Sequence, residues 1–260
     1  MSGQQSMERA GTALVTGGAR GIGRAVCVAI APRHERVAIV YRGNEAAASE
    51  AAELVRAQGT APLLIKADIA DPAAAAAAVE EAAAAGGAGL DVLVHCAGAA
   101  TTWKPVRDIA PAQWNDMIDV DLNGFFNVVS PALRIMHAAK RGAIVAVTSI
   151  SARSASPRSA QSAAAKAGVE AMVRVIAREE GRYGIRANAV AAGLTNTDQG
   201  RDAMHHWGEE MTARVLAQAA IPRIGTAEEV AQVVAFLASP AASYVTGRVL
   251  AADGGQFISA

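Results

Sequence analysis

Aromatic side chains and an excess of charge of either sign are both missing from this 260-residue chain. Phenylalanine, tryptophan and tyrosine together make up 4% of it, whereas hydrophobic residues make up 52%. The core must therefore be built mainly from aliphatic side chains and alanine, and we expect its helices to pack closely. Lys plus Arg number 24 and Asp plus Glu number 24, so the formal net charge is zero. This balance argues against nucleic-acid binding, which needs a basic surface, and is compatible with oligomers.

Cysteine is scarce, and no apolar run is long enough to span a membrane. Cys27 and Cys96 lie in apolar segments. We interpret them as buried free thiols in a reducing compartment, not as a disulfide or a metal site. Residues 1–10 are polar and lack the apolar centre of an export signal. The sequence thus predicts a cytoplasmic protein with no membrane partner.

Apolar runs typical of strands alternate with segments of helical periodicity. The predicted strands are 13–15, 36–41, 62–66, 90–94, 143–148, 185–190 and 248–251. The predicted helices are 22–30, 45–58, 72 to the glycines at 86–89, 111–139, 162–183 and 226–238. This alternation predicts an α/β fold with a doubly wound parallel sheet, in one domain over 1–260. Within it we expect a Rossmann core at 10–192, a polar and weakly periodic lid at 194–220, and a last helix and strand at 221–260.

A glycine-rich turn, T-G-G-A-R-G-I-G, occupies Thr16 to Gly23 between the first strand and the first helix. Such a turn exposes backbone N–H groups at the positive end of the helix dipole, where a pyrophosphate binds. The strand–turn–helix context is the one that a dinucleotide fingerprint requires. We therefore predict that Gly17, Gly21, Ile22 and Gly23 bind a dinucleotide cofactor.

The end of the second strand predicts which dinucleotide is bound. A carboxylate there would bind the adenosine ribose hydroxyls of NAD, but the sequence has Tyr41 followed by Arg42. Arg42 and Arg20 could instead pair with a 2′-phosphate, which favours NADP(H). Two solvated surface arginines are the alternative, more so for Arg42 than for Arg20. Asp68 and Ile69 could bracket the adenine, although Asp68 alone is also compatible with an ordinary strand-end cap.

Motifs along nearly the whole chain resemble the short-chain dehydrogenase/reductase superfamily, close to its 3-oxoacyl-carrier-protein reductase type. They are the turn at 16–23, Ala67-Asp68, Ala97-Gly98, Trp114, V-D-L-N-G-F-F at 120–126, A-A-K-A-G at 164–168, N-A-V at 188–190, Gly193, Thr197 and V-T-G-R-V-L-A-A-D-G-G at 245–255. The resemblance implies a seven-stranded parallel sheet, a small-molecule substrate and a homo-oligomer. That oligomer is usually a tetramer, with the helices near 112–136 and 160–182 at subunit contacts. It also implies cofactor contacts from Ala97, Gly98, Gly193, Thr195 and Thr197.

The catalytic group that the resemblance implies is changed at two of its four positions. Family members carry Asn, Ser, Tyr and Lys, and here Ser149 and Lys166 match. The tyrosine position, one helical turn before the lysine, is Ser162, and the asparagine position is Asp121. A serine hydroxyl is a far weaker acid than a phenol and is too short to reach the same point. We therefore expect ordinary ketone reduction to be strongly impaired.

Further changes lie on the nicotinamide side. The family's Asn-Asn-Ala-Gly reads His95-Cys96-Ala97-Gly98 here, and the usual proline before Gly193 is Ala192. We interpret His95 as a satisfied strand-end histidine and not as a base. Asp121 could pair with Lys166. Asn123, two residues along a helix, faces another way and is a poor substitute for the missing asparagine.

Three functions stay open at this point. The first is an NADP(H)-dependent oxidoreductase acting on a carbonyl or alcohol of a small molecule or acyl thioester. Its proton donor would be a water held by Ser162 or one of the lid histidines, His205 and His206. The segment that contains these histidines is equally compatible with a solvated loop. The second is a redox-neutral cyclase, isomerase or dehydratase on the same scaffold. The third is a non-catalytic subunit that pairs with an active homologue. The family resemblance places the first slightly ahead.

Overall fold

A computed structural model describes residues 9–258, so that most of the polar start of the chain lies outside the described residues. The strands form one parallel seven-stranded sheet in the order β3-β2-β1-β4-β5-β6-β7. They are β1 (Ala10–Thr16), β2 (His34–Tyr41), β3 (Ala61–Lys66), β4 (Leu90–His95), β5 (Gly142–Ser149), β6 (Ile185–Ala192) and β7 (Val249–Ala252). The order reverses between β1 and β4, which confirms the predicted doubly wound fold.

Helices cover both faces of this sheet. They are α1 (Gly21–Ile30), α2 (Glu45–Ala57), α3 (Pro72–Ala85), α4 (Pro111–Ile118), α5 (Gly124–Ala139), α6 (Ser151–Ser154), α7 (Ala160–Glu180), α8 (Asp198–Ala217) and α9 (Ala227–Ala238). A π-helical turn, Asp119–Asn123, joins α4 to α5. Short 3₁₀ turns follow α1 and α7, precede α4 and follow α9.

The core consists of two aliphatic layers, one on each side of the sheet. One layer packs α1 and α9 against the strands, and the other packs α3, α5 and α7. Alanine allows the close approach that the composition predicts, since Ala75, Ala78 and Ala82 on α3 are all buried. The start of α3 is capped by the Asp71 carboxylate, which accepts from the N–H of Ala73 at 2.8 Å.

The segment after β6 differs most from the prediction. Residues 194–220, expected to be weakly periodic, contain the long helix α8. Thr197 caps it by accepting from the Gly200 N–H at 3.1 Å, and Gly208 interrupts it with φ +75°. The sequence of α8 is largely polar because only one side of this helix packs against the rest of the protein. Among residues 9–258, no helix is long and apolar enough to cross a membrane.

Candidate functional site

A cavity of about 870 Å³ opens along the carboxyl edge of the sheet, between the glycine turn and α8. Ligands bind at this edge in doubly wound folds, at the point where the strand order reverses. All the predicted cofactor-binding and catalytic residues line it. They are Gly17, Arg20, Gly21, Ile22, Gly23, Tyr41, Arg42, Asp68, Ile69, Ala97, Gly98, Asp121, Ser149, Ser162, Lys166, Gly193, Thr195 and Thr197.

The glycine turn has no room for side chains on its inner side. Gly17 has φ +65°, and a Cβ there would lie 2.8 Å from the backbone of Ala97. A Cβ on Gly23 would collide with the carbonyl oxygen of Gly17. The helix α1 begins at Gly21 without a side-chain cap, so its first N–H groups are left for a ligand. This arrangement fits a pyrophosphate at the helix N-terminus.

The end of the cavity that is predicted to take the adenosine contains both predicted arginines. Arg20 donates to Asp198 at 3.2 Å, and both side chains are 61% exposed. An exposed pair of this kind contributes little to stability and is readily exchanged for another anion. Arg42 is exposed. Asp68 accepts from the N–H of Ala70 at 3.0 Å, the bond of an ordinary strand-end turn, while Ile69 is buried.

At the other end, an ion pair joins two helices. Lys166 Nζ on α7 lies 2.9 Å from Asp121 Oδ2, and their side chains are only 12% and 2% exposed. The second Asp121 oxygen accepts from the Ala99 N–H at 2.6 Å. This confirms the predicted pairing, and the π-helical turn is what directs Asp121 inward. Asn123 is exposed and donates instead to Asp119 at 2.8 Å.

The two serines of the site lie on different elements. Ser162 is four residues before Lys166 on α7, so both lie on the same helix face. Ser149 ends β5, and its Oγ accepts from the N–H of Ser151 at 3.2 Å. The start of α7 is fixed by Gln161, a buried residue that the sequence reading missed. Its side chain donates to the Gln113 carbonyl at 2.7 Å.

His95 is completely buried behind the ion pair. Its Nδ1 lies 3.0 Å from Thr16 Oγ1, whereas its Nε2 has no hydrogen-bond partner, so it is only half-satisfied. Burial, together with the charge of Lys166, lowers the pKa of His95 to about 3, against a smaller opposing effect of the Asp121 backbone. The imidazole is therefore neutral at physiological pH and too weakly basic to serve as a general base.

The two cysteines are free thiols, as expected, but they differ in burial. Cys27 is buried, whereas Cys96 is half-buried and lines the cavity. Burial raises the pKa of Cys96 to about 12, and the nearby Lys166 opposes this only in part. The Cys96 thiol is therefore protonated and a poor nucleophile.

The first half of α8 is tied to the connection after β4. Trp103 Nε1 donates to Asp202 at 3.0 Å, and Gln199 donates to the Ala99 carbonyl at 2.8 Å. The indoles of Trp103 and Trp207 meet at 82° with their centroids 5.5 Å apart. Trp103, Asp202 and Trp207 all line the cavity. The sequence reading did not assign a role to Trp103 or Asp202, since the contact joins residues 99 positions apart.

The lid histidines do not take part in the cavity wall. His205 and His206 are exposed, and neither lines the cavity. His206 Nδ1 lies 2.9 Å from the Asp202 carbonyl, and its ring stacks on Trp103. A lid histidine as the substitute proton donor therefore has no support from this geometry.

Comparisons with known proteins indicate the family to which the chain belongs. A family model described as enoyl-(acyl carrier protein) reductase matches residues 17–256. The 3-oxoacyl-[acyl-carrier-protein] reductase FabG of Staphylococcus aureus strain Mu50 is 34% identical over 252 residues, which cover 97% of this chain and 100% of that protein. The cis-4-hydroxycyclohexanecarboxylate dehydrogenase of Sinomonas cyclohexanicum is 40% identical over 244 residues, covering 94% and 95%.

Solved structures agree with these relatives. A crystal structure of a putative short-chain alcohol dehydrogenase from Sinorhizobium meliloti 1021 superposes with a TM-score of 0.89 at 33% identity and covers 96% of both chains. With the sheet order, the cavity and these matches taken together, the chain belongs to the short-chain dehydrogenase/reductase superfamily of oxidoreductases and resembles its 3-oxoacyl-carrier-protein reductases.

Proposed function

We propose that this chain is an atypical short-chain dehydrogenase/reductase that binds NADP(H) and acts on a carbonyl or alcohol with an altered proton-transfer group. The observation that carries the proposal is the composition of a single cavity. It joins a glycine turn suited to a phosphate to a site that Ser162 lines and where Lys166 is paired with Asp121. Ser162 would stand in the place of the family's tyrosine.

The residues that would hold the cofactor follow from the cavity lining. The N–H groups at the start of α1 would bind the pyrophosphate, and Arg42 would pair with the 2′-phosphate, joined by Arg20 if it left Asp198. Ile69 would contact the adenine, and Lys166 would bind the nicotinamide ribose. When bound, NADPH supplies the hydride. The absence of a carboxylate after β2 supports NADP(H) over NAD(H).

The altered group must orient a substrate and move one proton. Ser149 Oγ would donate to the substrate carbonyl oxygen. Lys166 has three N–H donors, and Asp121 takes only one of them, so two remain for the ribose and a water. A water held between Lys166 and Ser162 would deliver the proton. Because a held water would replace a positioned phenol, we expect turnover to be lower than in a family member with the tyrosine, by a factor of about 10²–10⁴.

A redox-neutral isomerase, dehydratase or cyclase is the second candidate. The Lys166–Asp121 pair favours it, because an ammonium and a carboxylate 2.9 Å apart provide a proton donor and a proton acceptor in one site. Such chemistry would leave NADP(H) unconsumed.

The described surface supports an oligomer. Exposed apolar side chains lie on the helices that the family resemblance places at subunit contacts, namely Trp114, Phe126 and Val175, of which Phe126 is 56% and Val175 54% exposed. We propose a homo-oligomer, a tetramer or dimer. Native mass spectrometry after co-expression with an active homologue would show whether mixed assemblies form, as a non-catalytic partner subunit requires.

NADPH oxidation with a panel of ketones, diketones and acyl thioesters tests the proposed function. We expect slow consumption that Lys166→Ala abolishes and that the exposed control Lys140→Ala leaves unchanged. NADPH binding without consumption across the whole panel would contradict the oxidoreductase. Product formed without NADPH oxidation would support the redox-neutral candidate instead.

A further inference from the structure

The substrate end of the cavity carries two indoles and a carboxylate that the proposed reaction does not use. Trp103 and Trp207 line the cavity with their rings at 82°, so they form two walls of a corner. The carboxylate of Asp202 lines the same region and is held in place by the Trp103 indole N–H at 3.0 Å.

The three carboxylates around this corner differ in their ion-pair partners. Asp121 is neutralised by Lys166, and Asp198 is neutralised by Arg20 and Arg201. Asp202, in contrast, has no lysine or arginine within ion-pair distance among residues 9–258. Its one charged contact is His206 Nδ1 at 3.5 Å, which carries charge only when protonated. A bound cation could therefore pair with Asp202 without displacing a lysine or an arginine.

Two indole rings beside an uncompensated carboxylate match the chemistry of a small organic cation. The indole is the best aromatic partner for an ammonium group, and the attraction increases when the cation is desolvated. Because the Trp103 N–H occupies only part of its acceptor capacity, Asp202 can also face a cation directly. A carboxylate-bearing ligand would be repelled from the same corner.

We propose that Trp103, Trp207 and Asp202 form a cation-binding corner, and that the substrate is a small ketone or alcohol carrying an ammonium group. The inference rests on the proposed function for the ketone or alcohol, whereas the recognition of the cation stands on the corner alone. The ammonium group would lie against α8, with the reacting carbon towards Ser149 and Lys166.

Binding of choline tests the corner without any turnover. Choline and its uncharged analogue 3,3-dimethyl-1-butanol are titrated against the full chain at one ionic strength, with tryptophan fluorescence and calorimetry as readouts. We expect choline to bind at least about tenfold more tightly than the alcohol. Asp202→Asn keeps a polar side chain and tests the role of the carboxylate. Trp103→Phe keeps an aromatic ring and tests the role of the indole.

The expected pattern is that Asp202→Asn removes most of the preference for choline. The control Glu210→Gln, on α8 but outside the cavity lining, keeps the preference. Equal binding of the charged and uncharged probes by the natural chain would overturn the proposal, as would an unchanged preference in Asp202→Asn. NADPH titration of the same samples tests the proposed function separately. A failure of the choline test can therefore be distinguished from a failure of the proposed function.

Discussion

The pairing of Lys166 with Asp121 changes what the site can do at the level of single residues. The family resemblance implies an uncharged asparagine at this position, whereas here a buried carboxylate accepts from both Lys166 and the Ala99 N–H. A buried charge that loses its partner is costly. The pair therefore holds α7, the π-helical turn and the segment after β4 together. Asp121 would also compete with a cofactor ribose for Lys166.

Asp121→Asn should destabilise the fold by about 1–3 kcal/mol, because it leaves the largely buried Lys166 ammonium without a counter-ion. The double variant Asp121→Asn/Lys166→Met should regain at least half of that loss. Urea unfolding measures both. The exposed neighbour Asp119→Asn is the matched control and should stay within about 0.5 kcal/mol of the natural chain. A double variant no more stable than Asp121→Asn alone would contradict the role of the pair.

The burial of His95 makes the unfolding free energy depend on pH below neutrality. Its pKa is lowered from 6.5 to about 3 in the folded protein, so between these values the unfolded chain binds a proton that the folded chain does not. The contribution of His95 to the unfolding free energy is therefore complete above pH 6.5 and is lost progressively as the pH falls towards 3.

Between pH 7 and pH 5, the natural chain should lose about 2 kcal/mol more unfolding free energy than His95→Asn does. Urea unfolding at the two pH values measures the difference. His34, whose pKa is also lowered by burial, is present in both proteins and cancels. Parallel losses in the two proteins would show that His95 is not the group responsible.

At the scale of elements, α8 is where the sequence was least informative. A helix is predicted when one of its faces is apolar, but α8 touches the protein only along a narrow strip, so its sequence is polar on most sides. Thr197 is a valid cap, but Gly208 breaks the periodicity that would have revealed the helix. Its main anchor, Trp103, comes from a segment almost a hundred residues earlier, and no local pattern predicts such a contact.

Trp103→Leu should loosen the first half of α8, because it removes both the hydrogen bond to Asp202 and the indole contact with Trp207. Hydrogen exchange measured by mass spectrometry should become faster across residues 198–207 and stay unchanged in β5. Tyr244→Leu, which changes a fully exposed aromatic side chain after α9, is the control. Unchanged exchange in Trp103→Leu would mean that α8 is held by Gln199 and its cap alone.

For the whole molecule, the fold was predictable because each strand is a short apolar run between helical segments, and buried parallel strands have that pattern. The cavity residues were predictable because the carboxyl ends of those strands meet at one edge. The aromatic corner was not predictable, since it depends on where α8 lies over that edge. The burial of His95 with an unpartnered nitrogen was not predictable either, because it depends on how Phe125 and Asp121 pack around it.

The central proposal is that the cavity binds NADPH and that Ser162, at the position of the family's tyrosine, limits proton transfer. Its most direct test is the rate of NADPH oxidation by Ser162→Tyr beside the natural chain, with the same ketone panel, and with Ser162→Phe as the control for ring volume. We expect a gain of about 10²-fold or more in Ser162→Tyr, since a phenol beside Lys166 would restore general acid catalysis, and no gain in Ser162→Phe. A Ser162→Tyr protein that folds and binds NADPH but oxidises it no faster than the natural chain would contradict the proposal.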